Sequence, residues 1–315
     1  MRTALTELLA IDHPVLLAPM GGVSGGALAR AVSEAGGLGL IGAGYGDADW
    51  LAREMALCTD CRFGVGFITW ALHQRPELLD LALAQSPAAI LFSFGDCRDY
   101  VPRVHAAGAR VICQVGSVTE AERAAQDGAD LIVAQGTEGG GHGGGRSTFA
   151  LTPAVVDAVA PIPVVAAGGV ADGRGLAAAL MLGATGVLVG TRFYASREAL
   201  GLEAAKQAIV TAGGDATLRT RVFDIVRGYD WPGGYTGRVI GNRFTETWHG
   251  REAELTGEAA DERRRYHEAV ARGDAETAVL FAGEAIDLIR AVEPAGTIVA
   301  RLIREAETVL AGTFD

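Results

Sequence analysis

The chain has 315 residues, 49% of them hydrophobic, with a net charge of −11 and 27 basic residues, of which Lys206 is the only lysine. That length supports one large α/β domain with a full core, and an acidic balance without a basic stripe excludes a nucleic-acid partner. Polar residues interrupt every apolar run before it could cross a bilayer, and residues 1–10, with Arg2 and Glu7, lack a signal-peptide layout, so a cytoplasmic protein with no membrane partner is expected.

Taken in order, residues 15–18 form a short apolar strand ended by Pro19-Met20-Gly21-Gly22, and 24–35 have helical spacing up to Gly36-Gly37. Strands follow at 38–41, 63–68, 89–94, 111–115, 131–134, 163–167 and 186–189, with helices between them at 47–57, 76–84, 100–107, 119–126, 153–159 and 173–182. The strands are continuous apolar runs, as in parallel strands covered on both faces. Eight such strands alternating with helices in about 190 residues predict a (β/α)8 TIM barrel; an open doubly wound sheet is the competing architecture. After residue 200 the texture changes to Arg, Gly and aromatics, then to charged helix. The amphipathic segment 296–310 can supply the barrel's last outer helix. The expected layout is therefore a barrel from 1–210 and 289–315 with a smaller, mostly helical subdomain at 211–288 on the substrate side. A separate C-terminal domain is the alternative.

The run 131–146 concentrates the chain's conformational freedom. A buried strand leads into six glycines, Gly139 to Gly141 and Gly143 to Gly145, which flank His142. Glycine costs entropy on ordering and is spent where backbone must pass close to something or take a positive φ. His142 is expected on a loop with little bulk around it, facing a flat ligand with an imidazole that titrates near neutral pH. A flexible linker with an incidental histidine is the bland alternative. Barrel sites lie at the C-terminal strand ends. Gly168-Gly169 and Gly190-Thr191 close the last two strands, where exposed backbone N–H groups and a hydroxyl suit a phosphate; plain turn glycines are the alternative. No dinucleotide fingerprint follows the first strand. Cys58 and Cys61 form a lone CxxC without further ligands, so reduced thiols and no metal site are expected, and Cys113 reads as core.

At these residues the sequence resembles the nitronate monooxygenases. The resemblance is carried by Ala18-Pro19-Met20-Gly21-Gly22, by the run 134–143 around His142, by the run 163–170 and by the run 188–193. It implies an FMN enzyme that oxidises alkyl nitronates, with nitroalkanes as a further candidate substrate, using O2 to give a carbonyl compound and nitrite. It places the phosphate on Gly168, Gly169, Gly190 and Thr191, and the flavin ring near Ala18, Pro19 and Met20. Gln114 and Gln135 become polar contacts, Gly66 and Gly140 further cofactor contacts, and His142 the catalytic residue. Met20, Phe67, Trp70 and aromatics of the second subdomain are candidates for an apolar wall. Gly66 stands where family members often carry asparagine, and Gln114 where many carry lysine. Flavin-dependent enoyl-acyl-carrier-protein reductases and NAD(P)H:quinone reductases share the barrel, and a non-enzymatic phosphate-binding barrel is a further alternative. Glu138 either orients His142 or is solvated, and Arg146, Arg219 and Arg221 read as solvated surface or salt-bridged cations, with attraction of an anionic substrate as the alternative. A homodimer is left open.

Overall fold

The computed structural model describes residues 1–274 and 276–312. The strands are β1 Val15–Leu17, β2 Gly39–Gly42, β3 Phe63–Ile68, β4 Ala89–Ser93, β5 Arg110–Val115, β6 Leu131–Gln135, β7 Gly141–Gly143, β8 Val164–Ala167, β9 Val187–Val189, β10 Thr217–Thr220 and β11 Thr236–Ile240. Eight of them pair in the order β1-β9-β8-β6-β5-β4-β3-β2, all in parallel. The ring closes where Leu17 N–H donates to the Leu38 carbonyl at 3.0 Å and Leu38 N–H to that of Val15 at 3.0 Å. This is the TIM barrel that the alternation of apolar runs and helices predicts.

Strand periodicity divides the core in two. Leu16, Leu40, Leu91, Ile112, Val133, Val165 and Leu188 point inward and fill the barrel, while Val15, Leu17, Ile41, Val65, Ile90 and Val111 point outward under the helices. The helix Ala4–Leu9 plugs one end. Thr3 caps it reciprocally with Thr6, and its buried Leu5 and Leu9 join the interior cluster. Thr3 Oγ1 donates to the Thr185 carbonyl, just before β9, at 2.7 Å, so the plugged end is the N-terminal one. The C-terminal mouth remains for chemistry.

The helix Ala295–Leu310 packs on Gly173–Met181 and Gly26–Glu34. It buries Ile298, Val299, Leu302, Ile303 and Ala306, and it fills the slot that a helix directly after β9 would take. Between β9 and this helix the chain builds a second cluster around Phe223, Val239, Phe244, Trp248 and Tyr266. The stretch 211–288 is not only helical: it carries β10 and β11, which form an antiparallel sheet in the order β10-β11-β7. The third strand, β7, comes from the glycine-rich run itself. A partner so distant in the chain leaves no local trace, which is why helical spacing alone was visible there. No described helix is long and apolar enough to cross a membrane.

Candidate active site at the barrel mouth

The mouth holds a cavity of about 390 Å3, within the range of small-molecule sites. All the residues given a catalytic or cofactor-binding place in the sequence line it: Ala18, Pro19 and Met20 after β1, Gly66 in β3, Gln114 in β5, Gln135 in β6, Gly140 and His142 around β7, Gly168 and Gly169 after β8, and Gly190 and Thr191 after β9. Met20 and Phe67 form part of the apolar lining. Trp70 stands behind it, edge-on to Trp231 with ring centres 5.5 Å apart.

His142 does not sit on an irregular loop. It is the middle residue of β7, opposite Gly237 of β11, and only 7% exposed. The space around the imidazole is filled by rings. Trp231 stacks on it with centres 3.4 Å apart and planes 5° from parallel, and Phe94 and Phe281 pack at 6.4 and 5.5 Å. Its Nε2 lies 2.9 Å from Oδ1 of Asp224, itself 3% exposed and carried by the helix Val222–Arg227. A carboxylate oxygen accepts, so Nε2 carries the hydrogen and Nδ1 the lone pair. Burial lowers the proton affinity of His142 below the ordinary imidazole value, and Asp224 pulls it partly back up. The site thus holds an oriented imidazole whose charged form burial disfavours, and whose Nδ1 has no hydrogen-bond partner among the described residues.

The opposite lining is backbone. Gly168 and Gly169 have φ of 95° and 76°, which turns the chain sharply after β8. Among the described residues, the backbone N–H groups of Gly168, Gly169, Gly190 and Thr191 donate to no acceptor within the chain. Thr191 Oγ1 accepts from Gly283 N–H at 3.0 Å, which leaves its own hydrogen free to donate. Two adjacent strand ends therefore present unpaired donors to one cavity, an arrangement suited to an anion. Between the two walls, Gln114 Nε2 donates to Gln135 Oε1 at 2.9 Å, so the two amides act as one polar unit.

A sequence model described as nitronate monooxygenase matches residues 2–67 and 68–305. The chain belongs to the nitronate monooxygenase family, a family of oxidoreductases. It is 36% identical to nitronate monooxygenase npaC of Metarhizium robertsii, covering 94% of this chain and 91% of that one. It is 39% identical to the (3aS,4S,5R,7aS)-5-hydroxy-7a-methyl-1-oxo-octahydro-1H-indene-4-carboxyl-CoA dehydrogenase of Rhodococcus jostii over 71% of its own length; that match spans 64% of the relative. Among solved structures, FabK of Thermotoga maritima superposes with a TM-score of 0.86 at 33% identity, covering 99% of this chain and 98% of that one. The nitroalkane oxidase of Streptomyces ansochromogenes superposes with a TM-score of 0.82 at 29% identity, covering 99% and 100%.

Set against the family's usual sequence, the glycine at position 66 has a steric reason here. A Cβ on Gly66 would lie 2.2 Å from Cγ of Pro19, so no side chain fits while Pro19 keeps its place. Gly66→Ala is expected to destabilise the protein by about 1–3 kcal/mol through overpacking. The readout is the denaturation midpoint, and an unchanged midpoint would show that the Pro19 turn can move away.

Several other expectations resolve into structure. Glu138 does not orient His142: its carboxylate accepts from Thr148 N–H at 2.9 Å and from Thr148 Oγ1 at 2.8 Å, at the start of the next helix. Arg219 is not a surface cation. It donates to the carbonyls of Thr137 and Gly143, at 3.0 and 2.8 Å, and to that of Thr236, while Arg238 donates to the Thr137 carbonyl at 2.9 Å. The two guanidiniums staple the glycine-rich run to β10 and β11. Burial of Arg219 and its neighbour Arg238 lower its pKa to about 10, so it remains charged. Cys58 Sγ donates to the Gly26 carbonyl at 3.3 Å, and burial pushes that thiol up to about 12, which leaves it protonated and unreactive.

Three contributors had no place in the sequence reading. Asp224 is 82 positions from His142, and nothing local marks it. Arg227 follows it at i+3, on the same helix. Phe94 takes φ 63° at the end of β4, a conformation costly for a bulky residue and typical of a ring held in place by function; its ring abuts Trp231 at 5.0 Å.

Proposed function

We propose that the protein binds FMN in the barrel mouth and uses it with O2 to oxidise alkyl nitronates to a carbonyl compound and nitrite. The observation that carries this is His142, held by Asp224 and lining the same cavity as four unpaired backbone donors at Gly168, Gly169, Gly190 and Thr191. The residues fit FMN. The donors suit its phosphate, the Gln114–Gln135 unit offers polar contacts, and Ala18, Pro19 and Met20 line the same cavity where the ring would lie.

FMN supplies the electron transfer and the oxygen chemistry when bound. The chain's own part is binding, orientation and one proton. For a neutral nitroalkane, His142 Nδ1 accepts the α-proton, and Asp224 stabilises the imidazolium that results. For a preformed nitronate that step is already done, and the site has only to hold an anion.

The likeness to FabK supports a second reading, in which NAD(P)H reduces the flavin and the flavin reduces an organic acceptor. One experiment separates the two. Purified protein is reconstituted with FMN and oxygen uptake is followed on adding a nitronate; a parallel anaerobic sample receives NADH or NADPH and its flavin absorbance is followed. Oxygen uptake with nitrite release supports the oxidase reading, whereas anaerobic bleaching by the nicotinamide without nitronate-driven uptake overturns it in favour of the reductase.

A further inference from the structure

Arg227 lines the cavity, and among the described residues it is the one Arg, Lys, Asp or Glu side chain that does; no carboxylate lines it. The guanidinium has no ion pair within 4.0 Å among the described residues, although most buried cations need one. Its Nη1 is buried without any hydrogen-bond partner. What holds it is aromatic: its carbon lies 4.7 Å from the ring centre of Tyr229, 5.7 Å from that of Tyr45 and 6.0 Å from that of Phe281. Tyr45 and Tyr229 are themselves stacked at 3.8 Å. Such faces steady a cation without neutralising it.

The same neighbours tie Arg227 to His142. Phe281 touches both, and Tyr45 accepts the Trp231 Nε1–H at 3.2 Å, with Trp231 stacked on the imidazole. Asp224 and Arg227 stand at i and i+3 on one helix and so share a face. One turn of helix offers a carboxylate to the base and a free cation to the space beside it.

We propose that Arg227 is the group that recognises the substrate's charge, its guanidinium donating to the two oxygens of a small planar oxyanion, the nitronate form of the substrate. This rests on the nitronate-oxidising reading and assigns that site its anion-binding residue. A guanidinium matches two oxygens on one planar centre, the geometry of a nitronate. A neutral nitroalkane offers the same oxygens with far less charge, so Arg227 favours the anion and the product of His142 deprotonation over the uncharged substrate.

The test uses FMN-reconstituted protein and nitrate, a planar oxyanion that does not turn over, titrated by calorimetry. Arg227→Met is expected to weaken nitrate binding at least tenfold, with Arg227→Lys in between, and to raise KM for a preformed nitronate about ten- to a hundredfold while KM for the neutral nitroalkane changes less than threefold. The Lys variant keeps the charge over the rings and covers the case in which Met disturbs folding. Equal nitrate affinity in wild type and both variants overturns the proposal, as does an equal rise in KM for both substrates. Loss of bound FMN with nitrate binding retained also overturns it, because the cation then serves the cofactor. Nitrate binding that depends on Arg227 in a protein that consumes no oxygen with nitronate keeps the anion site and removes the nitronate-oxidising reading instead.

Discussion

His142→Ala is expected to lower kcat/KM for a neutral nitroalkane about 10²- to 10⁴-fold, the usual contribution of a placed general base, while kcat/KM for preformed nitronate falls far less. The inequality follows from the geometry. With Nε2–H committed to Asp224 at 2.9 Å, Nδ1 is the free basic atom, and only the neutral substrate has a proton to give it. The pH dependence has a definite sign. Burial disfavours the imidazolium and holds its pKa below the ordinary value, so the acid limb of kcat/KM for nitroalkane should lie below about 6.5. That limb should be absent, or much weaker, for the nitronate. Steady-state rates on both substrates between pH 5 and 9, chosen to bracket the ordinary imidazole value of about 6.5, check this; equal losses on the two would remove proton abstraction from the role of His142.

Asp224→Asn is the second large effect. Asp224 is buried, and its Oδ2 has no hydrogen-bond partner among the described residues, so its remaining compensation is the bond to His142. An amide at the same place can accept from Nε2–H or donate to Nε2, and the second choice moves the hydrogen to Nδ1 and destroys the base. The expected loss on nitroalkane is about 10²-fold or more. The carboxylate raises the proton affinity of His142, so its removal should also shift the surviving acid limb to still lower pH. Retained activity with the limb shifted upward would contradict the assignment. The same histidine contributes to acid sensitivity of the fold. In the unfolded chain it takes up a proton near pH 6.5, and in the folded protein only at lower pH. Its contribution to stability is therefore complete above that ordinary value and is lost as pH falls through the window below it.

Much of this was legible in the sequence because it rests on local rules. Apolar runs of strand length, each ended by glycine and followed by helical spacing, can satisfy their backbone and bury both faces chiefly in a parallel barrel, and barrel topology puts the strand ends on one rim. That is why Pro19, Gln114, Gln135, Gly168 and Thr191 could be assigned to one site while scattered over the chain. The surroundings of His142 were not legible. Its place on a strand, the stack on Trp231, the bond to Asp224 and the free cation of Arg227 all arise from β7 pairing with β11 across ninety-odd intervening residues. No periodicity encodes such a pairing, because two glycines and a histidine carry no strand pattern of their own. Local chemistry determined the barrel and put His142 beside its mouth; only the docking of the second subdomain decided which carboxylate bonds that imidazole, which ring covers it and which cation lines the same cavity.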